Sequence, residues 1–269
     1  MHSYAQTYIQ LLNQLKENGY SKEELVRVKN SYQMAAELFA GCYRPSGKTF
    51  IAHVVGTASI LASLAVSLEI VIAGLLHSIY AEADFGSGKQ GISNTKREQV
   101  KAVVGKEVEE YLCRYAALQW NAKTILSLRD RLHCLDQIDR NVLLIRLADQ
   151  LEDSLDLGIL YCSNRKDRQQ FLQDMGDIMV AMAQEIGFPT LATELEAVFP
   201  ENILAELPEE LSPYSQYKDS FFIAPKSYQK KIWLAAYEEL NHSLSYGQSI
   251  IYRLKRKLRS LQPFKKIAS

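Results

Sequence analysis

Two histidines and one aspartate stand out because each lies in an apolar, helix-like stretch, where an ionisable side chain is costly to bury. His53 ends the stretch Phe-Ile-Ala-His, His77 follows Gly-Leu-Leu, and Asp149 follows Arg-Leu-Ala. Two neutral imidazoles and a carboxylate suit manganese, iron or zinc better than calcium. The same pattern is typical of histidines that are hydrogen-bonded within a core, so the spacing alone leaves both interpretations open.

Acidic residues form a stripe on the predicted helix that carries Asp149. Glu152, Asp153 and Asp156 follow it at i+3, i+4 and i+7, which places all four carboxylates on one helix face. Arg146, at i−3, can pair with Asp149. The other side of this helix is apolar, with Leu147, Leu151 and Leu155. We therefore expect the stripe to point away from the core, as a solvated face or as the wall of a cleft that binds a metal ion or a cationic group.

Apolar residues recur at helical spacing along almost the whole chain, which predicts an all-α fold. Ser21 and Glu24 have the spacing of a capping box at the start of the second helix, and Gly41 follows its end. Residues 43–48 must form a turn. After it, helices are predicted over residues 51–62, 70–77, 96–116, 122–134, 140–161 and 166–186. The helix over 70–77 is apolar on every side, as expected for a buried central helix.

Residues 84–94 are small and polar and include three glycines, which predicts a loop that ends at Thr95, the expected N-cap of the next helix. Few apolar residues anchor this loop, so it should be more mobile than its flanking helices. Because the loop closely follows His77, we expect it to act as a lid over the histidine pocket.

The prolines between residues 199 and 225 predict a surface crossing without long regular structure. We therefore place a boundary there. Residues 1–198 are predicted to form one helical domain, and residues 199–269 the crossing and a long basic C-terminal helix, 226–261. The basic end is interpreted as a solvated helix terminus favoured by the helix dipole.

The composition argues against several classes of function. Lys+Arg and Asp+Glu number 31 each, so no net charge favours nucleic acid or an anionic membrane. The four cysteines form no CxxC pair, which argues against a zinc ribbon or a thioredoxin-like motif. No apolar run approaches the roughly 18 to 20 residues of a spanning helix, and the amino terminus lacks the pattern of a secretory signal. The expected compartment is the cytoplasm.

Three segments carry a family resemblance. Tyr-Arg-Pro-Ser-Gly-Lys-Thr-Phe-Ile-Ala-His at 43–53 resembles the arginine, Ser-Gly turn, aromatic residue and histidine of the hydrolase domain in Rel/SpoT enzymes, which remove pyrophosphate from (p)ppGpp. Ile-Ala-Gly-Leu-Leu-His at 72–77 is similar to the helix that leads into the family's His-Asp pair. Leu-Ile-Arg-Leu-Ala-Asp-Gln-Leu at 144–151 is similar to the segment with its last metal-binding aspartate. The resemblance covers roughly residues 25–160 and implies the HD-type helical bundle of metal-dependent phosphohydrolases.

The resemblance also implies roles for individual residues. His53, His77 and Asp149 would be ligands of a divalent metal ion such as manganese, iron or zinc. Glu82 would be a general base, and Arg44 would contact a nucleobase or a phosphate. The candidate substrate-binding residues are Arg44, Lys48, Ser78 and Asp153.

Departures from the family pattern bear on activity. Ser78 stands where the family has a metal-binding aspartate, and a neutral hydroxyl is a poor substitute for a carboxylate ligand. Ala81 and Glu82 match the family's Glu-Asp pair, which helps to activate water, so one carboxylate of that pair is kept. Asp153 and Asp156 stand where the family has an asparagine and a threonine. The chain thus also resembles a degenerate group of HD-like proteins with His-Ser in place of His-Asp.

Three functions follow as hypotheses. The leading one is a small-molecule enzyme, a metal-dependent phosphoester or pyrophosphate hydrolase-like protein with an altered site and a phosphorylated small-molecule ligand. A catalytically inactive ligand-binding or regulatory module is the alternative that the missing aspartate favours. A non-haem iron oxygenase-like enzyme is a further alternative, because two histidines and one carboxylate also describe a facial triad. No membrane partner is expected, a nucleic acid is disfavoured as a partner, and the oligomeric state stays open.

Overall fold

The computed structural model describes residues 4–86, 90–162 and 164–207, and these residues confirm the all-α prediction. The α-helices are α1 Tyr8–Glu17, α2 Lys22–Leu38, α3 Phe50–Ser63, α4 Leu68–Leu76, α5 Ile79–Glu82, α6 Asn94–Val104, α7 Lys106–Ala117, α8 Ala122–Asp130, α9 Gln137–Ser154, α10 Arg165–Glu185 and α11 Pro189–Leu204. Short 3₁₀ turns, Leu132–Cys134 and Gly158–Tyr161, precede and follow α9. None of the described helices is long and apolar enough to cross a membrane.

The amino-terminal helices begin at side-chain caps. In α2 the Ser21 side chain accepts the Glu24 amide and the Glu24 side chain accepts the Ser21 amide, so the predicted capping box is confirmed. Thr7 and Gln10 form a second capping box at the start of α1. Beyond α2, Gly41 has a φ of 71°, in the left-handed region that glycine adopts with least strain.

The turn predicted over 43–48 is present and leads into α3. The Arg44 amide donates to the Lys48 carbonyl at 2.7 Å, and the Gly47 amide donates to the Arg44 carbonyl at 2.8 Å. Gly47 has a φ of 87°, which a residue with a Cβ rarely adopts. The turn therefore fixes the backbone of Arg44 and Lys48 directly ahead of α3.

The prediction of a single helix over 96–116 is wrong, because the segment forms two helices, α6 and α7. Gly105 has a φ of 88° between them and interrupts the helical path. The predicted cap, Thr95, lies inside α6. The cap is Ser93, whose side chain accepts the Lys96 amide.

The helices predicted over 122–134 and 140–161 are shorter than expected. α8 ends at Asp130 and α9 ends at Ser154, and a 3₁₀ turn follows each of them. Leu157, with a φ of 54°, lies in the left-handed region and separates α9 from the turn that follows it.

The predicted lid, 84–94, is described at its two ends, while its middle lies outside the described residues. The Asp84 amide donates to the Leu38 carbonyl at 2.9 Å, and the Gly91 amide donates to the Tyr80 carbonyl at 2.8 Å. Both ends are thus attached to neighbouring helices. The lid function stays a prediction.

Helix α11 extends past the boundary expected after residue 198. It runs to Leu204 and includes Pro200, which removes one backbone hydrogen bond within the helix. The predicted crossing beyond residue 207 and the predicted helix over 226–261 lie outside the described residues.

The core is built around α3 and α4. Every α3 residue from His53 to Ala62 is buried. Every α4 residue from Ile70 to Leu76 is buried as well, which confirms the prediction of a buried central helix. α9 packs against α3 and α4, and α7 packs against α4 and α9. The two histidines therefore lie in the centre of the packed helices.

A buried ionic network anchors the segment that follows His77. Glu109 of α7 is almost fully buried and accepts hydrogen bonds from Tyr80 Oη at 2.8 Å and from Arg97 Nε at 2.6 Å. A second bond joins Arg97 Nη2 to the other Glu109 oxygen at 2.8 Å. This bidentate pair connects α6 to α7, and Tyr80 connects α5 to both.

α3 and α4 approach each other closely at Gly74. A Cβ atom placed on Gly74 would lie 2.3 Å from Leu61 Cδ1 and 3.5 Å from Ala58 Cα. The missing side chain therefore permits the short separation between the helices that position His53 and His77.

Replacing Gly74 with alanine should destabilise the fold by about 1–3 kcal/mol, because the new methyl group overlaps Leu61. Urea unfolding of Gly74→Ala, Leu61→Ala and the double variant measures the effect. Leu61→Ala alone should cost about 2–5 kcal/mol. The double variant should lose less than the sum, because the smaller residue at 61 leaves room for the methyl group. Strictly additive losses would contradict the close-contact explanation.

Candidate metal centre

Three side-chain atoms from three helices or helix ends converge at one buried point. His53 Nε2 lies 3.2 Å from His77 Nε2 and 3.1 Å from Asp149 Oδ1, and His77 Nε2 lies 3.3 Å from the same oxygen. Both histidines are 0% exposed and Asp149 is 4% exposed. The fold thus brings together the three residues that the sequence indicated as metal ligands.

The hydrogen bonds on the far side of each ring assign the tautomers. His77 Nδ1 lies 2.7 Å from the Gly74 carbonyl, which can only accept, so this nitrogen carries the hydrogen. His53 Nδ1 lies 2.5 Å from Glu152 Oε2 and is the donor for the same reason. In the neutral imidazoles, both Nε2 atoms therefore present lone pairs to Asp149.

The arrangement of these three acceptors fits a metal ion. Asp149 Oδ1 is buried and has no hydrogen-bond partner among the described residues. Two nitrogen lone pairs and a carboxylate oxygen repel one another at these distances unless a cation or a proton lies between them. His53, His77 and Asp149 could therefore hold a metal ion, and the donor set suits manganese, iron or zinc.

The ionisation of the site follows from its charges. Burial and the Arg44 guanidinium lower the pKa of His53, but the Glu152 and Asp149 carboxylates outweigh them and raise it to about 9. Burial raises the pKa of Asp149, but Arg146, His77 and His53 hold it well below the ordinary value. A metal ion at this point must therefore displace a proton from His53.

The second oxygen of Asp149 is held separately from the first. Asp149 Oδ2 accepts hydrogen bonds from Tyr115 Oη and from Arg146 Nη1, both at 2.7 Å. Arg146 lies over the rings of Tyr115 and Trp120, with its Cζ 5.4 and 5.2 Å from their centroids. These contacts fix the carboxylate so that Oδ1 faces the two histidines.

The acidic stripe points into the protein, which corrects the expected orientation. Asp149 and Glu152 are both buried, although leucines occupy the other side of the helix. The reason is that α9 is covered on both sides, since α3 and α4 pack against it together with α7 and α11. Asp153 is partly buried, and Asp156, after the end of the helix, is exposed.

Glu152 belongs to the site, although the sequence pattern assigned it no role beyond the acidic stripe. It is 0% exposed and lies between His53 and Lys48, and the Lys48 ammonium forms an ion pair with it. Burial raises the pKa of Glu152, but His53 and Lys48 outweigh this effect and lower it. Gly56 makes room for the carboxylate, since a Cβ there would lie 2.6 Å from Glu152 Oε1. In the sequence, the i+3 spacing of Glu152 from Asp149 was the signal that could have placed Glu152 in the site.

Three of the four candidate substrate-binding residues lie beside the triad. Arg44 forms an ion pair with Asp153, and its guanidinium lies 5.5 Å from the centroid of Phe50. Lys48, besides its pair with Glu152, lies 3.4 Å from an oxygen of Asp156. These cations are therefore already engaged by carboxylates of the acidic stripe.

A cavity of about 330 Å³ borders the triad at Asp149. Its wall comes from α9, the start of α10, the turn that carries Arg44 and the segment around Gly158. The side chains that line it include Arg44, Ser46, Trp120, Arg146, Asp149, Asp153, Arg168 and Phe171. This volume is at the lower end of the range for small-molecule sites.

Known proteins resemble this chain over much of its length. A family model described as a domain of unknown function (DUF6817) matches residues 35–119. The bifunctional (p)ppGpp synthase/hydrolase SpoT of Escherichia coli is 27% identical over 188 residues, 69% of this chain and 25% of that protein. The probable chloroplastic GTP diphosphokinase RSH3 of Arabidopsis thaliana is 26% identical over 220 residues, 77% and 28% of the two chains. The chain spans about a quarter of the length of these curated relatives.

The chain is similar to SpoT of Escherichia coli over about two thirds of its own length. This homology supports the HD-type relationship that the three segments indicated. Membership of a His-Ser variant group within the relatives of SpoT stays a prediction.

The two residues tied to the altered motif lie at the ends of α5. Ser78 is partly buried, follows His77 directly and precedes the first residue of α5, and its hydroxyl forms no cap hydrogen bond. Glu82 is the last residue of α5 and is exposed. The roles of Ser78 in substrate binding and of Glu82 as a base stay predictions.

Replacing Glu152 with glutamine should weaken manganese binding by about 10- to 100-fold, because the carboxylate that orients and polarises His53 is lost. Gly56→Ala should act in the same direction, since its methyl group displaces the Glu152 carboxylate without changing the charge. Isothermal titration calorimetry with manganese measures both affinities.

Asp156→Asn is the matched control, because it removes an exposed carboxylate of the same stripe that does not contact His53. Its manganese affinity should equal that of the wild type. Equal affinities for the wild type and Glu152→Gln would refute the orienting role of Glu152.

Proposed function

We propose that this protein is a small-molecule enzyme of HD-like fold, a metal-dependent phosphoester or pyrophosphate hydrolase with an altered site. The homology to (p)ppGpp hydrolases supports a phosphohydrolase-like enzyme. The observation that carries the proposal is the convergence of the buried Asp149 Oδ1 with the Nε2 atoms of His53 and His77, which lie 3.1 and 3.3 Å from it. Once the proton of His53 is displaced, these atoms repel one another, and a shared cation relieves this repulsion.

His53, His77 and Asp149 would hold the divalent ion, which is manganese, iron or zinc in this proposal. When bound, such an ion polarises a phosphoryl oxygen and lowers the pKa of bound water. The protein contributes orientation: Glu152 and the Gly74 carbonyl fix the two rings through their Nδ1 atoms.

Glu82 is proposed as the general base, because it is the carboxylate kept from the family's acidic pair and lies on the short helix after Ser78. Arg44, Lys48, Ser78 and Asp153 are the proposed substrate-binding residues. Since Arg44 is paired with Asp153, its attraction for a phosphate is smaller than that of a free guanidinium. The site therefore suits a less highly charged phosphorylated ligand than (p)ppGpp.

A catalytically inactive binding or regulatory module is the second candidate, favoured by Ser78 in place of an aspartate. An iron oxygenase-like enzyme is the third, favoured by the donor set of two histidines and one carboxylate. A panel of phosphate monoesters and diphosphates, assayed with manganese and with chelator, tests the first proposal. Hydrolysis that is lost with chelator and in Asp149→Asn supports it, whereas a metal-loaded protein that hydrolyses none of them favours one of the other two.

We expect little or no (p)ppGpp hydrolysis, even with added manganese. Ser78 stands where the related enzymes have an aspartate that binds the metal ion. The stripe around Asp153 is also acidic, so the charge of a polyphosphate is poorly neutralised. Release of pyrophosphate from (p)ppGpp, measured beside Escherichia coli SpoT as the positive control, checks this. Turnover at a rate similar to that of SpoT would contradict the expectation.

Ser78→Asp should raise manganese affinity by about 10- to 100-fold, because it restores a carboxylate next to His77. Without metal the same change should lower the melting temperature, because the new charge repels Asp149 in a partly buried site. Thermal unfolding with chelator and with manganese measures both effects.

Ser67→Asp is the matched control, because it adds the same charge at the exposed start of α4. It should show the wild-type response to manganese. If Ser78→Asp and wild type respond equally, and His53→Ala leaves the response unchanged, the triad is not a metal site.

A further inference from the structure

Among the described residues, one cation that lines the cavity beside the triad has no carboxylate partner. The cavity lining includes the guanidinium groups of Arg44, Arg146 and Arg168. It also includes the carboxylates of Asp149 and Asp153. Arg44 pairs with Asp153, and Arg146 pairs with Asp149. Within the described part of the chain, Arg168 has no acidic partner, and its Nε donates to the Asn164 side chain at 2.9 Å.

The terminal nitrogens of Arg168 are therefore available to a ligand in the cavity. A guanidinium with both terminal nitrogens unoccupied can bind a phosphate through two parallel hydrogen bonds. Neighbouring Arg146 adds a second observation that points to a ligand, because its Nε is buried without a hydrogen-bond partner among the described residues. A buried donor of this kind is costly unless an acceptor reaches it.

The rest of the cavity wall is partly apolar. Trp120 and Phe171 contribute ring surface, and Ile159 and Leu172 contribute aliphatic surface. A ligand that fits must therefore combine an anionic group with an apolar or ring-shaped body. One guanidinium without an acidic partner can hold one anionic group. The cavity therefore does not suit a ligand that carries two polyphosphate groups.

We propose that Arg168 is the anion-binding residue of this cavity and that the ligand is a small phosphorylated compound with an apolar or ring-shaped body. Its phosphate contacts Arg168, and its body lies along Trp120 and Phe171. The proposal deepens the function proposed above and rests on it only for the chemistry at Asp149, since binding at Arg168 requires no metal ion.

Phenyl phosphate is a suitable probe because it joins one phosphate to one ring. Its affinity is measured by isothermal titration calorimetry on the full chain in the presence of chelator. Arg168→Gln should weaken binding by about 10- to 100-fold, as expected for hydrogen bonds to a charged group, and Arg168→Lys should weaken it less. Inorganic phosphate should bind more weakly than phenyl phosphate, because it lacks the ring.

Arg165→Gln is the matched control, because it removes a nearby charge on α10 that does not line the cavity. It should bind phenyl phosphate like the wild type. Equal binding by wild type and Arg168→Gln, equal losses in Arg165→Gln and Arg168→Gln, or no binding by the wild type at millimolar concentration would each overturn the proposal.

A separate manganese titration distinguishes this proposal from the proposed function. If the wild type binds no manganese but Arg168→Gln still loses phenyl phosphate, the metal-dependent function fails and the anion site stands. If manganese binds equally to both proteins and phenyl phosphate also binds equally, the anion site fails and the metal centre stands.

Discussion

The structure depends on one electrostatic constraint, the placement of the Asp149 carboxylate against the Nε2 atoms of His53 and His77 in the middle of the fold. Each atom belongs to a different helix or helix end, so α3, α4 and α9 must be positioned together for the contact to exist. Gly74 lets α3 and α4 approach, and its carbonyl also holds the His77 ring. The packing that forms the core thus also sets the geometry of the site.

The carboxylates along α9 each have a different basic partner. Asp149 pairs with Arg146, Glu152 with Lys48, and Asp153 with Arg44. Buried ion pairs of this kind tolerate the loss of one partner poorly, since the remaining charge is left without compensation. The pairing explains how an acidic stripe can lie inside the protein. Within the part of the chain that the structure describes, it leaves Arg168 as the cavity cation without an acidic partner.

The sequence predicted the triad because His53, His77 and Asp149 interrupt apolar helices, and the resemblance to a family placed them in one site. It did not predict Glu152, because the leucines of the same helix suggested a single buried side, whereas helices cover α9 on both sides. The break between α6 and α7 was also missed, since a glycine between helical patterns does not reveal its φ angle in the sequence. These features depend on contacts between distant segments, which local patterns do not contain.

The most direct test of the central claim is the metal content of the protein purified without chelator, measured by mass spectrometry for the wild type and for His77→Ala. The account predicts about one equivalent of manganese, iron or zinc per wild-type chain and its loss in the variant, because the donor set of two imidazoles and a carboxylate suits these ions. A wild-type protein that carries none of these ions and takes up none on incubation, or equal metal content in both proteins, would contradict it.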